Sequence, residues 1–324
     1  MFNLKPLTKL VQTKQLTPYL AACLLFSSSI AFASGDISFT ADQVYPECAS
    51  WNAKDKTFIV SSVHQGTIGK VNLKGEYKPF ITDEKLVASI GLQVDAKHNI
   101  LWVANSDNGA STRSSPETSG KLAALVAYDA SSGKRLAYYE LSHLIEGPHF
   151  ANDLTFDAQG NVYVTDSLSP VIYRVDAKGN ASVFAKSDLF AGEGYNLNGI
   201  VYHPKGFLLV AKYSSGELFK INIKDPSKIE KVVLPEALNG LDGLLLRTPD
   251  KLIAVQNNGV DRTLELSSKD DWKSASLKPL QKSALAFPTT ATLVGNDVYV
   301  LNSQLNTLLS PTEAKVSQYL LQKQ

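Results

Sequence analysis

The stretch Asn152-Asp153-Leu154-Thr155-Phe156-Asp157-Ala158-Gln159-Gly160-Asn161-Val162-Tyr163-Val164-Thr165-Asp166 decides the fold. A short apolar run, a polar turn ending in glycine and a β-rich run read as two strands joined by a tight turn. Val171-Ile172-Tyr173-Arg174-Val175 alternates as a third strand, and Ala181-Ser182-Val183-Phe184 supplies a fourth. The unit recurs 46 residues later, where Asn198-Gly199-Ile200-Val201-Tyr202 replaces the first strand. Glu217–Ile221 stands as far behind Val210 as Val171–Val175 stands behind Val164, so the repeats align without a gap.

Working outward, the same pattern starts at Glu47, Ile90, Asn152, Asn198, Asp242 and Thr289, in steps of 43, 62, 46, 44 and 47 residues. A period of about 45 residues carrying only strands marks a propeller blade. Six such units fill the chain from the first inner strand onward, which predicts an all-β, six-bladed β-propeller with four-stranded blades in one domain, residues 34–324. The last unit is short of strands, so the N-terminal segment with Asp36-Ile37-Ser38-Phe39 is expected to supply an outer strand and close the ring, removing open sheet edges. The long step holds Asn108 to Gly120, a Ser/Thr/Gly/Pro-rich loop read either as a lid or as a passive insertion.

The first 33 residues read as a signal peptide: Lys5, Lys9 and Lys14, an apolar stretch from Leu20 to Ile30, and Ala31-Phe32-Ala33 before the cut. A periplasmic or secreted product is expected. Leu20-Ala21-Ala22-Cys23 resembles a lipobox, but cleavage there would halve the apolar region. Removing residues 1–33 takes three lysines and no acids, leaving 29 basic and 31 acidic residues. The resulting charge of −2 and the thin spread of Lys and Arg exclude nucleic acid and anionic membranes as partners, and no later segment is apolar enough for membrane insertion. A small-molecule ligand and a monomer are expected. Cys48 alone remains, so no intrachain disulfide forms; it reads as a buried, inert thiol.

In a propeller the inner strands start on one face and converge on the axis. Glu47, Asn152, Asn198 and Asp242 would therefore meet, offering two carboxylates and two amides. Such oxygen donors suit Ca2+, with other divalent cations as alternatives, far better than zinc or copper. Taken singly, Asn and Asp at strand starts also cap turns. A second ring is read at the ends of the second strands: Ser62, Asn105, Asp166, Lys212, Gln256 and Asn302. Asp166 and Asn302 would back the first ring, or else serve ordinary turn chemistry.

On these residues the chain resembles the SMP-30/gluconolactonase/luciferin-regenerating-enzyme family of calcium propellers. The carrying segments are Asn152-Asp153 through Asp166, Asn198-Gly199-Ile200 and Asp242-Gly243-Leu244. The resemblance implies metal binding by Glu47, Asn198 and Asp242, with Asn152 at the metal or substrate position, and Asp242 as general base. It departs at Glu47-Cys48-Ala49, where the family reads Glu-Gly-Pro, and at Phe150, where sugar lactonases carry arginine. Phe150, Tyr195 and Tyr213 would instead present aromatic surface. His149 is an auxiliary proton-transfer candidate, or a structural histidine. No nucleophile elbow or Cys/His pair is present, so covalent catalysis is not expected. The segment from Leu122 through Tyr139 to Asn152 also resembles the major-royal-jelly/yellow propellers. The expected function is a metal-dependent hydrolase of lactones or related esters; the alternative is a non-catalytic binding or scaffold propeller.

Overall fold

The computed structural model describes residues 35–324; the signal peptide, the cut after Ala33 and the Cys23 lipobox lie outside the described residues. Six four-stranded sheets, antiparallel throughout, form the six blades. Blade 3 contains Ala151–Phe156, Val162–Asp166, Val171–Val175 and Ala181–Lys186 in that order from the axis. The inner strands of blades 1, 2, 4 and 5 are Ala49–Asn52, Ala88–Asp95, Leu197–His203 and Leu241–Thr248. Burial peaks at the second strands: Val162–Asp166 is buried throughout, the inner strand Ala151–Phe156 is partly so, and the outer strand Arg135–Glu140 has no buried residue.

Second strands are buried on both faces because each blade packs on its neighbours. Ile59, Ile68, Leu101, Val103 and Val126 join blades 1 and 2, while Tyr163, Ile172, Leu208, Val210 and Phe219 join blades 3 and 4. This is why their sequences are continuous apolar runs rather than alternating ones. Cys48 is a free buried thiol inside the first of these clusters, donating to the Leu92 carbonyl.

Blade 6 contains Pro288–Val294, Asp297–Asn302, Gln318–Lys323 and, outermost, Ile37–Thr40, which pairs antiparallel with Gln318–Lys323. The expected N-terminal closing strand is present. The third strand of this blade follows a feature absent from the sequence reading, a one-turn helix α1 (Leu305–Leu309). Tyr45 clasps α1 to the closure. Its N–H donates to the Tyr319 hydroxyl (3.0 Å), its own hydroxyl receives Val316 N–H (2.7 Å) and meets Thr307 Oγ1 (3.1 Å). Lys315 Nζ donates to the Thr307, Leu308 and Ser310 carbonyls, satisfying the helix C-terminus with a cation.

Candidate metal and substrate site

In five of the six inner strands the sheet register slips at the column found in the sequence. The slips lie between Ser89 and Leu92, Ala151 and Leu154, Leu197 and Ile200, Leu241 and Leu244, and Pro288 and Ala291. Ile90, Asn152, Asn198, Asp242 and Thr289 are the first residues inside these bulges. A bulge frees a residue from the ladder and re-aims its side chain, here toward the axis. All six column residues, Glu47 included, border one cavity of about 160 Å³.

The inner strands crowd at this level. A Cβ on Gly199 would lie 2.2 Å from the Asp242 carbonyl oxygen, and one on Gly243 would lie 2.4 Å from that of Thr289. Blade 3 carries Asp153 at the equivalent position, facing the opposite mouth of the channel with Leu154 and Ile200. Its carboxylate accepts from Leu154 N–H, yet burial lifts its pKa to about 7. Burial also raises Glu47 well above the usual carboxylate range, followed by the charges of Asp242 and Asp153. Asp242 is raised by burial and then by Asp153, against hydrogen bonds from Asn257 and Asn198. Glu47 and Asp242, two buried carboxyls on one cavity that are raised further by the charge of Asp153 behind them, are the environment that a cation would relieve.

The unspent hydrogen-bonding capacity points the same way. Asn152 Oδ1, Asp242 Oδ1 and Thr289 Oγ1 are buried without a partner among the described residues, and all three residues border the cavity. Ser167 fixes the orientation of Asn152. Its hydroxyl donates to the Leu197 carbonyl, so it can only accept from Asn152, whose Nδ2 lies 2.8 Å away. Asn152 therefore presents its oxygen, which suits a cation and not the carbonyl oxygen of a substrate. Asp242 is held in turn: Asn257 Nδ2 donates to its Oδ2, and Tyr213 Oη donates to Asn257 Oδ1 (2.8 Å).

The second ring sits elsewhere. Asp166 is spent on the loop entering its own blade, accepting from Phe150, Leu168 and Ser169 N–H, Tyr173 Oη and the His149 ring. Asn302 accepts from Leu285 N–H, Asn105 from Val87 N–H, and Lys212 donates to the Leu189 and Ala191 carbonyls. These residues anchor inter-blade loops, and Asp166 and Asn302 do not border the cavity. The groups that contact the column stand one residue further along, at Ser167 and Asn257, with Tyr213 behind Asn257. His149 is also away from the cavity, with Nδ1 on Asp166 (3.0 Å) and Nε2 on the Ile145 carbonyl (3.0 Å). Both ring nitrogens are engaged, which leaves no site for shuttling a substrate proton.

Phe150, Tyr195 and Tyr213 line the wall above blades 3 and 4, as the sequence reading placed them. The Asn108–Gly120 loop contributes Asn108 to the lining. The rest of that loop is tied down: Arg113 donates to the Asp83 and Leu86 carbonyls, Thr112 N–H to the His64 carbonyl, and Asp107 accepts from Thr118. It is a fixed rim. Among the described residues no group of three or more His, Cys, Asp and Glu is arranged to hold a metal. The candidate set here is two carboxylates and two amides.

No protein-family model matches the sequence, and neither does any curated protein. Solved structures share the architecture. The chain is similar to the major Malassezia sympodialis allergen Mala s 1, with TM-score 0.73 and 18% identity over 90% of this chain and 96% of that one. It is similar to luciferin-regenerating enzyme at TM-score 0.60 and 13% identity, covering 88% and 94%. A gluconolactonase candidate superposes with TM-score 0.58 and 13% identity, covering 90% and 93%. Six-bladed propellers of the kind the sequence resembles are thus among its structural neighbours. At such identities the likeness establishes the fold, and chemistry has to be argued from the site.

Proposed function

We propose that this chain is a divalent-cation-dependent hydrolase of lactones or related esters. The observation that carries the reading is the pair of partnerless buried oxygens, Asn152 Oδ1 and Asp242 Oδ1, on a cavity that also takes in Glu47 and Asn198. Glu47, Asn152, Asn198 and Asp242 would hold the cation, with Ca2+ the best match to an all-oxygen set. Bound there, it would supply Lewis-acid polarisation of an ester carbonyl.

The chain's own groups do the rest. Asp242 takes a proton from the attacking water as the water oxygen bonds to the carbonyl carbon. It returns that proton to the alkoxide when the ester C–O bond breaks. Asn257 holds Asp242 Oδ2, which leaves Oδ1 as the oxygen that faces the cavity. Thr289 is the donor best placed for the carbonyl oxygen, because the amide of Asn152 and the hydroxyl of Tyr213 are already spent.

The second reading is a ligand-binding or scaffold propeller whose cation is structural. The engagement of His149 favours it, since both ring nitrogens are spent and the residue does not border the cavity. One experiment separates the two. Hydrolysis of a lactone and aryl-ester panel is followed with and without chelator, in the wild type and in Asp242→Asn. Turnover lost on chelation and in the variant supports the hydrolase; Ca2+-dependent thermal stabilisation with no turnover leaves the scaffold. Export behind a signal peptide and a monomeric state belong to the same proposal. No helix among the described residues is long and apolar enough to cross a membrane.

A further inference from the structure

The walls of the cavity differ in chemistry from its floor, and the difference specifies a substrate. On the floor stand the partnerless oxygens of Asn152, Asp242 and Thr289. Above them, Val63, Ile90, Phe287, Leu305 and Leu309 form an apolar face, and the blade 2 loop adds Asn108 to the lining. Elsewhere on the wall the Tyr213 hydroxyl is already given to Asn257. Once the floor oxygens are taken by a cation and the ester, a polyhydroxylated ligand would lose its water against the apolar face and find few partners there for its hydroxyls, a cost paid per group.

The apolar side is built and held. Phe287 has φ of +58° and Gln304, which precedes α1, has φ of +53°, a left-handed conformation unfavourable for a bulky aromatic residue. The strained pair is tied together: Ser303 N–H and Oγ both donate to the Phe287 carbonyl, and Gln304 N–H to that of Ala286. With α1 fixed by Lys315 and Tyr45, Leu305 and Leu309, one turn apart, face the cavity beside the Phe287 ring. The cavity, about 160 Å³, is close to the size that takes one benzene in an engineered apolar pocket. Anything longer than a small ring must run out past the rim, where Tyr195 is 37% and Leu309 54% exposed.

We propose that the substrate is a small lactone or ester whose only polar group is the ester itself, with its hydrocarbon body on the Phe287–α1 wall and its tail leaving past Leu309. This rests on the hydrolase reading for the reaction, though not for the binding. The test uses unbranched γ-lactones from γ-butyrolactone to γ-decalactone, with δ-valerolactone and glucono-δ-lactone as a ring-matched pair, all at saturating Ca2+. Expected are a rise in kcat/KM of roughly fourfold or less per added methylene and a preference of at least about 100-fold for δ-valerolactone over glucono-δ-lactone. Leu309→Ser, at an exposed position, should flatten the chain-length series. A flat wild-type series, or glucono-δ-lactone turned over as well as δ-valerolactone, overturns the proposal. If no lactone is hydrolysed the catalytic reading fails alone, and calorimetric titration of the same γ-lactones decides the subsite. Affinity rising with chain length and flattened by Leu309→Ser supports it; no binding, or binding indifferent to length, overturns it.

Discussion

Asn257 donates from Nδ2 to Oδ2 of Asp242 and leaves Oδ1 of that carboxylate buried and unpartnered. The amide lies 15 residues downstream, at the far end of the neighbouring strand, and is itself aligned by Tyr213. Its work is positional. Asn257→Ala should weaken Ca2+ binding by about 10- to 100-fold, the usual cost of losing the group that orients a ligand. Titration calorimetry checks the affinity, and circular dichroism checks that the blades persist.

Gly199 permits the inner strands of blades 4 and 5 to touch. Gly199→Ala would drive a methyl to within 2.2 Å of the Asp242 carbonyl oxygen, which is backbone and cannot step aside. A loss of about 1–3 kcal/mol is expected from overpacking. Urea denaturation measures it, and Ca2+ affinity should fall in parallel because Asn198 and Asp242 flank the contact.

His149 carries a pH signature. Burial pushes its imidazole down, but the hydrogen bond and charge of Asp166 outweigh burial and leave it above 6.5. A histidine raised on folding adds stability that is complete below the unfolded pKa and lost as pH rises through the folded value. The stability difference between wild type and His149→Gln should therefore be largest at acid pH and shrink above 6.5. Urea midpoints from pH 5.5 to 8.5 would show it. A difference independent of pH would mean that the ring stays neutral.

Tyr45→Phe removes one hydroxyl and leaves Val316 N–H and Thr307 Oγ1 without it. The expected loss is about 0.5–1.5 kcal/mol, since the stranded donor is half-buried. The same change frees one tether of α1, so the chain-length preference for lactones should weaken with it. Thermal unfolding and the γ-lactone series read the two effects separately.

The fold was legible because period and alternation are both written in single residues, from Glu47 to Thr289. The converging column was legible for the same reason, since a bulge at a fixed place in five of the six inner strands repeats whatever residue type stands there. The backing groups were offset by one. Asp166 and Asn302 end their strands and turn to the loops, whereas Ser167 and Asn257 follow Asp166 and Gln256 and face the axis, and a shift of one residue exchanges faces. That Asn152 presents oxygen depends on Ser167 meeting the Leu197 carbonyl 30 residues away, a contact no local pattern encodes. Helix α1 has five residues, too few for a helical period to declare itself.

The pairing of Ile37–Thr40 with Gln318–Lys323 also sets an order of events. A chain made from its N-terminus offers the first of these strands at the start and the second almost at the end. Blades 1 to 5, with Glu47, Asn152, Asn198 and Asp242, can be complete while blade 6 still lacks three of its four strands. The oxygen donors are thus synthesised early, and the Phe287–α1 wall beside them is sealed by the last stretch to appear. A nascent chain would gather its ligands before it acquires any preference for what they bind.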